Sequence, residues 1–132
     1  MSVKQLDVVA ALIVRQGKIL LAQRGPDGDQ AGLWEFPGGK VEAGESQPQA
    51  LRRELKEELN IEADIGGYIA SESREVNGRQ IHLHAWRVTA FSGEPRLSCH
   101  QALVWVTPQK ALGYNLAPAD IPLLYAWLTQ AI

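Results

Sequence analysis

The chain has 132 residues, of which 45% are hydrophobic and 21% charged, and a net charge of −2 at pH 7. This length favours one domain over residues 1–132, and the lack of a basic block argues against a nucleic-acid polymer as partner. No apolar run approaches the ~20 residues of a membrane span. Cys99 is the only cysteine, so the chain has no internal disulfide. We therefore expect a cytoplasmic protein that does not bind membranes.

The N-terminal part predicts strands that lead to a pair of glycines. Residues 6–14 (LDVVAALIV) are nearly continuously apolar and β-branched, which is typical of a buried strand. A second strand, a polar loop and a short third strand are predicted in residues 18–23, 24–32 and 33–36. The Gly38-Gly39 pair that follows permits a ligand to approach the backbone closely, although such a pair alone more often marks a tight turn.

A helix follows the glycines and has clear start and stop signals. Ser46 can cap it, with Gln49 completing a capping box, and Asn60 lies where a residue with positive φ would end it. The apolar stripe of this helix consists of Leu51, Leu55 and Leu59.

The same helix carries a cluster of acids beside its apolar stripe. At about 100° per residue, Glu54, Glu57 and Glu58 share one face, where like charges repel. Carboxylates packed together beside a core suit a hard cation such as Mg²⁺ or Mn²⁺. A solvated acidic face is the commoner reason for such glutamates, but it leaves the glycines and the fixed spacings unexplained.

The second half predicts more strands and a terminal helix. Strands are predicted in residues 63–76, 79–91 and 103–106, a helical turn in 108–112 and a helix in 119–131. A bend is expected at Gly66-Gly67 and a hairpin turn at Asn77-Gly78. His82 and His84 share one strand face, and without a third ligand nearby a half-exposed sheet face is favoured over a transition-metal site. Together these elements predict an α/β or α+β fold with a mixed β-sheet between helices.

The glycines, the acids and their spacing resemble a known motif. Gly39, five residues, Glu45, seven residues and then Arg53-Glu54-Leu55-x-Glu57-Glu58 resembles the Nudix box of MutT-type pyrophosphohydrolases. Asn60 stands where that box has a glycine, and it keeps the same backbone conformation available. The resemblance covers nearly the whole chain and implies the Nudix fold.

The resemblance also implies a reaction and its residues. The family hydrolyses nucleoside diphosphates linked to a further group, with Mg²⁺ as cofactor and Mn²⁺ as a substitute. By resemblance, the metal ligands are Glu54, Glu57, Glu58 and the Gly38 carbonyl. Glu54 is alternatively the group that orients or deprotonates water. Arg53 would hold the acids by ion pairing, and Glu45 would support them near the helix N-terminus.

Besides Asn60, a position outside the box departs from the family pattern. MutT-like enzymes commonly carry a further metal-binding glutamate in the loop before the last sheet strand, and that place falls near Cys99. His100 is a candidate substitute, although an isolated loop histidine more often faces solvent. The number of metal ions therefore stays open at the level of sequence.

Residues 23–40 resemble the MutT subgroup that converts nucleoside triphosphates into nucleoside monophosphates and pyrophosphate. By analogy, Arg24 and Arg79 contact phosphate or ribose, Gly39 lies against the substrate and Phe36 lines the base pocket. Surface arginines and a core aromatic residue are the alternative interpretations.

Residues 116–124 (LAPADIPLL) resemble the CTP-hydrolysing branch of the family. An ionised Asp120 is acceptor-only, so it would select a base edge that presents an amino donor, such as cytosine N4 or adenine N6. The alternative is a helix cap, because aspartate is a favoured N-cap and Asp120 precedes Ile121-Pro122.

The sequence thus predicts a Mg²⁺-dependent pyrophosphohydrolase of CTP, dCTP or oxidised or modified pyrimidine nucleotides, which would cleanse the nucleotide pool as a monomer or homodimer. One alternative is hydrolysis of another nucleoside diphosphate derivative such as ADP-ribose. A second is a non-catalytic nucleotide-binding module, which the intact Glu54, Glu57 and Glu58 disfavour.

Overall fold

The computed structural model describes residues 4–27, 30–76, 78–98 and 100–130, and in them a seven-stranded mixed sheet lies between helices. The strands are β1 (Lys4–Arg15), β2 (Lys18–Gln23), β3 (Trp34–Glu35), β4 (Gly38–Lys40), β5 (Glu62–Asp64), β6 (Tyr68–Val76), β7 (Arg79–Val88), β8 (Ala90–Ser92) and β9 (Ala102–Val106). The helices are α1 (Gln47–Leu59), α2 (Pro108–Ala111) and α3 (Asp120–Gln130).

Strand β1 is the centre of the sheet. It pairs in parallel with β7, and on its other edge it pairs antiparallel with β4 and then with β2. Because successive side chains of a strand point to opposite faces, β1 supplies both cores. Val9 and Ile13 pack on the side of α1, and Ala10 and Leu12 pack on the side of α3. This double burial explains why the β1 sequence is continuously apolar rather than alternating.

The two helices cover opposite faces of the sheet, as the sequence predicts. Leu51, Leu55 and Leu59 of α1 are fully buried against one face. On the other face, α3 buries three apolar side chains: Leu123, Leu124 and Trp127. The predicted α+β sandwich is therefore confirmed.

The predicted ends of α1 are also confirmed. Ser46 Oγ accepts the Gln49 N–H at 3.2 Å, and Gln49 Oε1 accepts the Ser46 N–H at 2.9 Å, which completes the capping box. Asn60 has a φ of 59°, and its N–H bonds to the Lys56 carbonyl. Asparagine thus takes the left-handed position that glycine usually fills.

Two of the predicted strands are wrong in their extent. The predicted strand 63–76 divides into β5 and β6, and 79–91 divides into β7 and β8, while β5 and β8 pair with each other outside the main sheet. Gly66 donates to the Arg87 carbonyl at 2.7 Å, and Arg87 donates to the Gly67 carbonyl at 2.8 Å. Gly66 and Gly67 belong to neither β5 nor β6, so the predicted strand is interrupted at these glycines. β6 and β7 form the expected antiparallel pair, although Asn77 lies outside the described residues.

The histidines of β7 belong to a polar sheet face. His82 Nδ1 lies 2.9 Å from Ser73 Oγ, and His84 Nε2 lies 3.2 Å from Asp7 Oδ1. Across the described ranges, no three His, Cys, Asp or Glu side chains are grouped so that they could hold a metal ion. Within the same ranges, no helix is long and apolar enough to cross a bilayer.

Candidate functional site

A cavity of about 290 Å³ brings together residues that are far apart in the sequence. One side of the cavity, which we call the box side, consists of Gly38 and Gly39 on β4 and Glu58 on α1. Its Asp120 side consists of Phe36 and Asp120. Both sides meet because Phe36 lies just before β4, which pairs with the centre of the sheet.

Arg53 is the hub of the ion pairs on the box side. Its Nε and Nη2 atoms lie 2.7 and 2.9 Å from the two carboxylate oxygens of Glu45, a bidentate arrangement. Its Nη1 atom lies 2.9 Å from Glu54 Oε1 and 3.5 Å from Glu57 Oε2. Nη2 also donates to the Lys40 carbonyl at 3.0 Å, which ties the helix to the end of β4. Arg53 therefore makes the ion pairs predicted for it.

These ion pairs keep both partners charged. The hydrogen bonds from Arg53 lower the pKa of Glu45 from its usual 4.5 to about 2, with a further contribution from the Glu42 backbone. The carboxylate of Glu45 in turn raises the pKa of Arg53, and Glu54 adds to the rise. The repulsion expected among the helix acids is thus offset where Arg53 reaches them.

The two glycines of β4 leave space for different neighbours. A Cβ atom at Gly39 would overlap the Glu54 carboxylate, so the missing side chain lets that carboxylate lie against the backbone. A Cβ atom at Gly38 would overlap the carbonyl oxygen of Val9 on β1. Gly38 is therefore required by strand pairing and Gly39 by the acid. Neither forms the tight turn that a Gly-Gly pair alone favours, because both belong to a strand.

The oxygen donors near Gly39 fit a hard divalent cation in kind but are not already gathered around one point. Glu58 lines the cavity, and the Glu54 carboxylate lies against Gly39. Glu57 is 60% exposed, so its side chain has room to rotate. Since no three-ligand group is assembled in the described part of the chain, the acids would have to converge on an ion as it binds.

Asp120 is the buried acid of the site. It is 4% exposed, and its carboxyl group accepts the backbone N–H of Phe36. Asp120 is the first residue of α3, so the cap predicted as its alternative role is not observed. Phe36 is 3% exposed and belongs to the core as well as to the cavity wall, so both of its predicted roles are compatible with the structure.

The surroundings of Asp120 change how it would read a base. Burial raises its pKa well above the usual 3.8, and the negative charge of Glu35 raises it further. The Phe36 N–H and Arg24 oppose this rise without cancelling it. The raised pKa shifts the balance towards the neutral carboxylic acid, which carries one donor and one acceptor, relative to the acceptor-only carboxylate expected from the sequence.

A chain of polar side chains crosses the wall near Glu58. Arg24 Nη1 lies 3.0 Å from Glu35 Oε1, and His100 Nε2 lies 2.9 Å from Glu35 Oε2. His100 is only 5% exposed at its side chain, so it does not face solvent. The hydrogen bond with Glu35 raises the pKa of His100 above its usual 6.5. Sequence reasoning missed Glu35, whose only signal was its place between Trp34 and Phe36 in the short strand before the glycines.

The cavity wall contains an arginine that the sequence did not predict and lacks one that it did. Arg79 is exposed at the start of β7 and is not part of the cavity wall, whereas Arg74 on β6 lines the cavity and donates to the Pro118 carbonyl at 3.3 Å. Arg74 follows Glu72 by two positions, and this period places both side chains on the same sheet face. Cys99 lies outside the described residues, so the loop position that departs from the family pattern is not placed.

Known proteins are similar to this chain in sequence and in fold. A family model described as the NUDIX domain matches residues 3–128. The chain is 65% identical over 125 residues to the CTP pyrophosphohydrolase of Escherichia coli, covering 95% of this chain and 93% of that protein. It is 46% identical over 115 residues to the putative 8-oxo-dGTP diphosphatase 2 of Mycobacterium tuberculosis, covering 86% and 81%. The crystal structure of a MutT NUDIX hydrolase from Burkholderia pseudomallei matches with a TM-score of 0.85 at 33% identity, covering 93% of this chain and 98% of that one. The chain therefore belongs to the Nudix hydrolase family.

Proposed function

We propose that this chain, as one Nudix domain, hydrolyses nucleoside triphosphates to nucleoside monophosphate and pyrophosphate, with CTP and dCTP or their modified forms as preferred substrates. The observation that carries the proposal is the shared cavity: Glu58 and the β4 glycines line it together with Phe36 and Asp120. A nucleotide in this cavity would place its phosphates by the helix acids and its base by Asp120.

Divalent metal ions are typical of the family. Here Mg²⁺ would be held by Glu57, Glu58, Glu54 and the Gly38 carbonyl, and Mn²⁺ would serve as a substitute because both prefer oxygen ligands. When bound, the ion would neutralise phosphate charge and lower the pKa of the attacking water.

The protein's own groups would supply position and orientation. Arg53 holds Glu54 against Gly39, where the carboxylate would orient the attacking water. Glu45 keeps Arg53 in place through two hydrogen bonds, so its role is support and not contact with the substrate. Arg24, on the cavity wall, would contact the phosphates.

Base choice would rest on the neutral form of Asp120. Cytosine presents the N4 amino donor beside the N3 acceptor, which matches the acceptor and donor of a carboxylic acid. Uracil presents the reverse order, a carbonyl acceptor beside an N–H donor. The Phe36 N–H binds the carboxyl group, so the acid proton would lie on the other oxygen, and selection of cytosine over uracil requires that this oxygen faces N3 of the base.

A second candidate is hydrolysis of oxidised purine triphosphates. It is favoured by the Mycobacterium tuberculosis relative, whose name refers to 8-oxo-dGTP. A neutral carboxyl group with both a donor and an acceptor also suits a purine edge that presents both.

The test is to incubate the protein with Mg²⁺ and a panel of nucleotides, namely CTP, dCTP, UTP, 5-hydroxy-dCTP, 8-oxo-dGTP and ADP-ribose, and to measure pyrophosphate and orthophosphate separately. We expect pyrophosphate and monophosphate from the cytidine nucleotides, and no turnover when the metal is chelated. Release of orthophosphate, or faster turnover of ADP-ribose than of every triphosphate, would contradict the proposal.

A further inference from the structure

Glu35 is held by a residue on each side. One carboxylate oxygen meets Arg24 Nη1 at 3.0 Å, and the other meets His100 Nε2 at 2.9 Å. The three side chains come from the loop after β2, from β3 and from the segment before β9, so tertiary structure alone brings them together.

This chain of contacts lies in a wall between two cavities. Arg24, Glu35 and Glu58 line both the 290 Å³ cavity and a second cavity of about 460 Å³, and His100 lines only the second. Arg24 is 39% exposed at its side chain, whereas His100 is 5% exposed. His100 is thus the buried end of this series of contacts, and Arg24 is the end that solvent or a ligand can reach.

The His100 contact changes how firmly Arg24 is held. A partly exposed arginine–carboxylate pair contributes little by itself, because two flexible side chains must be ordered to form it. When the carboxylate is already fixed by a buried imidazole, less ordering remains to be done. Nε2–H is the only feature this contact needs from His100, and both the neutral Nε2 tautomer and the imidazolium provide it.

We propose that His100 is a positioning residue that fixes Glu35 and, through it, holds Arg24 beside Glu58 for the substrate's phosphates. The inference rests on the proposed function, because it assumes that phosphates bind next to Glu58. It differs from the expectation that His100 replaces a metal-binding glutamate, since Nε2 is directed at Glu35.

The experiment compares His100→Leu, His100→Gln, Arg24→Ala and the double variant Arg24→Ala/His100→Leu with CTP and Mg²⁺. Loss of the contact should raise KM by about 3–5-fold in His100→Leu with kcat within about 2-fold of wild type. His100→Gln keeps a side-chain N–H donor and should restore most of the wild-type KM. In the Arg24→Ala background, adding His100→Leu should change KM by less than about 2-fold, because the positioned group is gone.

The control is His82→Leu, which removes a histidine hydrogen-bonded to Ser73 on the polar sheet face. It should leave KM and kcat unchanged, so an equal KM rise in this variant would overturn the inference. Additive KM effects of Arg24→Ala and His100→Leu would overturn it too, as would a fall in kcat at constant KM. Thermal unfolding identifies a variant that fails to fold. If His100→Leu fails to fold, the double-mutant cycle is made instead with Arg24→Ala, His100→Gln and Arg24→Ala/His100→Gln. Additive KM effects in that cycle would again count against the inference.

Failure of the proposed function is distinguishable from failure of the inference. If wild type releases no pyrophosphate, the proposed function fails. The wild type and the Arg24 and His100 variants are then compared by their Kd for a non-hydrolysable CTP analogue with Mg²⁺. If wild type is active and His100→Leu keeps its KM, only the inference fails.

Discussion

The two sides of the cavity treat carboxyl groups in opposite ways. Next to the box side, Arg53 bonds to Glu45 and Glu54, and the pKa of Glu45 falls to about 2. On the Asp120 side, burial raises the pKa of the aspartate, and Arg24 opposes the rise without cancelling it. An acid that stays ionised thus lies next to one side of the cavity, and an acid whose neutral form is favoured lies on the other.

The difference lies in the partners and not in the residue type. An arginine fork stabilises the charged form of a carboxyl group, whereas one backbone N–H and the charge of Arg24 do not compensate the buried Asp120 for lost water. Charged acids suit cations and phosphate chemistry, and a neutral acid suits hydrogen bonding to an uncharged base. The four predictions that follow test this contrast.

The largest effect is expected on the box side. Glu58→Gln and Glu57→Gln should each lower kcat by at least ~10²-fold, because each removes a negative charge from the proposed metal site. Steady-state pyrophosphate release measures the loss. Glu62→Gln is the matched control, since Glu62 pairs with Lys56 on the surface and should be silent. Near-normal turnover in either variant would remove these glutamates from the metal site.

Gly39→Ala should lower kcat by up to ~10²-fold, because the new Cβ displaces the Glu54 carboxylate by a distance that catalysis does not tolerate. Gly38→Ala should instead destabilise the fold by several kcal/mol, roughly the cost of forcing a side chain into a packed backbone. The readouts are kcat and the midpoint of thermal unfolding for both variants. Equal profiles for the two alanines would show that the glycines do not have separate roles.

The Asp120 side should govern base choice and not chemistry. Asp120→Leu should weaken the discrimination between CTP and UTP, measured as the ratio of their kcat/KM values, by the equivalent of ~1–3 kcal/mol. The reason is that the base edge loses its hydrogen-bonding partner. Asp120→Asn should keep most of that ratio, since an amide presents a donor and an acceptor as the neutral acid does. If the ratio collapses equally in both variants, Asp120 reads the base as an ionised carboxylate.

The smallest effect is a pair of opposite pH dependences of stability without metal. Asp120 has a raised pKa, so as pH rises above about 3.8 the unfolded chain loses a proton that the folded protein keeps, and stability falls. Asp120→Asn should therefore gain stability over wild type as pH rises, and match it at lower pH. Glu45 has a lowered pKa, so its contribution is present above 4.5 and is lost as pH falls towards about 2. Glu45→Gln should therefore be less stable than wild type at neutral pH, with a difference that vanishes in acid.

Thermal unfolding of both variants and wild type across this range gives the two differences. Parallel curves for Asp120→Asn and Glu45→Gln would contradict the contrast between the two sides.

Local signals in the sequence were sufficient for α1 and its acids. Ser46, Gln49 and Asn60 define the helix ends through bonds to neighbours within a few residues, and Leu51 and Leu55 define its buried face. Such interactions depend on short separations along the chain, so the sequence displays them directly. The interpretation of Glu54, Glu57 and Glu58 as one functional group depended on the same helix geometry.

The remaining features depend on packing between distant segments. The neutral form favoured at Asp120 results from its burial in the folded chain and from the charge of Glu35, which is distant from it in sequence. Arg74 lines the cavity where the sequence predicted Arg79, because Arg74 and Glu72 share the sheet face that contributes to its wall. The contact of His100 with Glu35 spans 65 positions. No periodicity or cap carries information about such contacts.

The parallel pairing of β1 with β7 has a consequence for how the protein is made. Leu6 lies opposite Ile81, about 75 residues away, so the middle of the sheet closes only after most of the chain has left the ribosome. Contacts with such long separation slow folding, because the loop between them must first be closed. The motif segment from β4 through α1 is synthesised much earlier. Its glycines pair with β1 at a time when β7, the other neighbour of β1, is still missing. A nascent chain that already contains every acid of the box therefore has no cavity in which to use them.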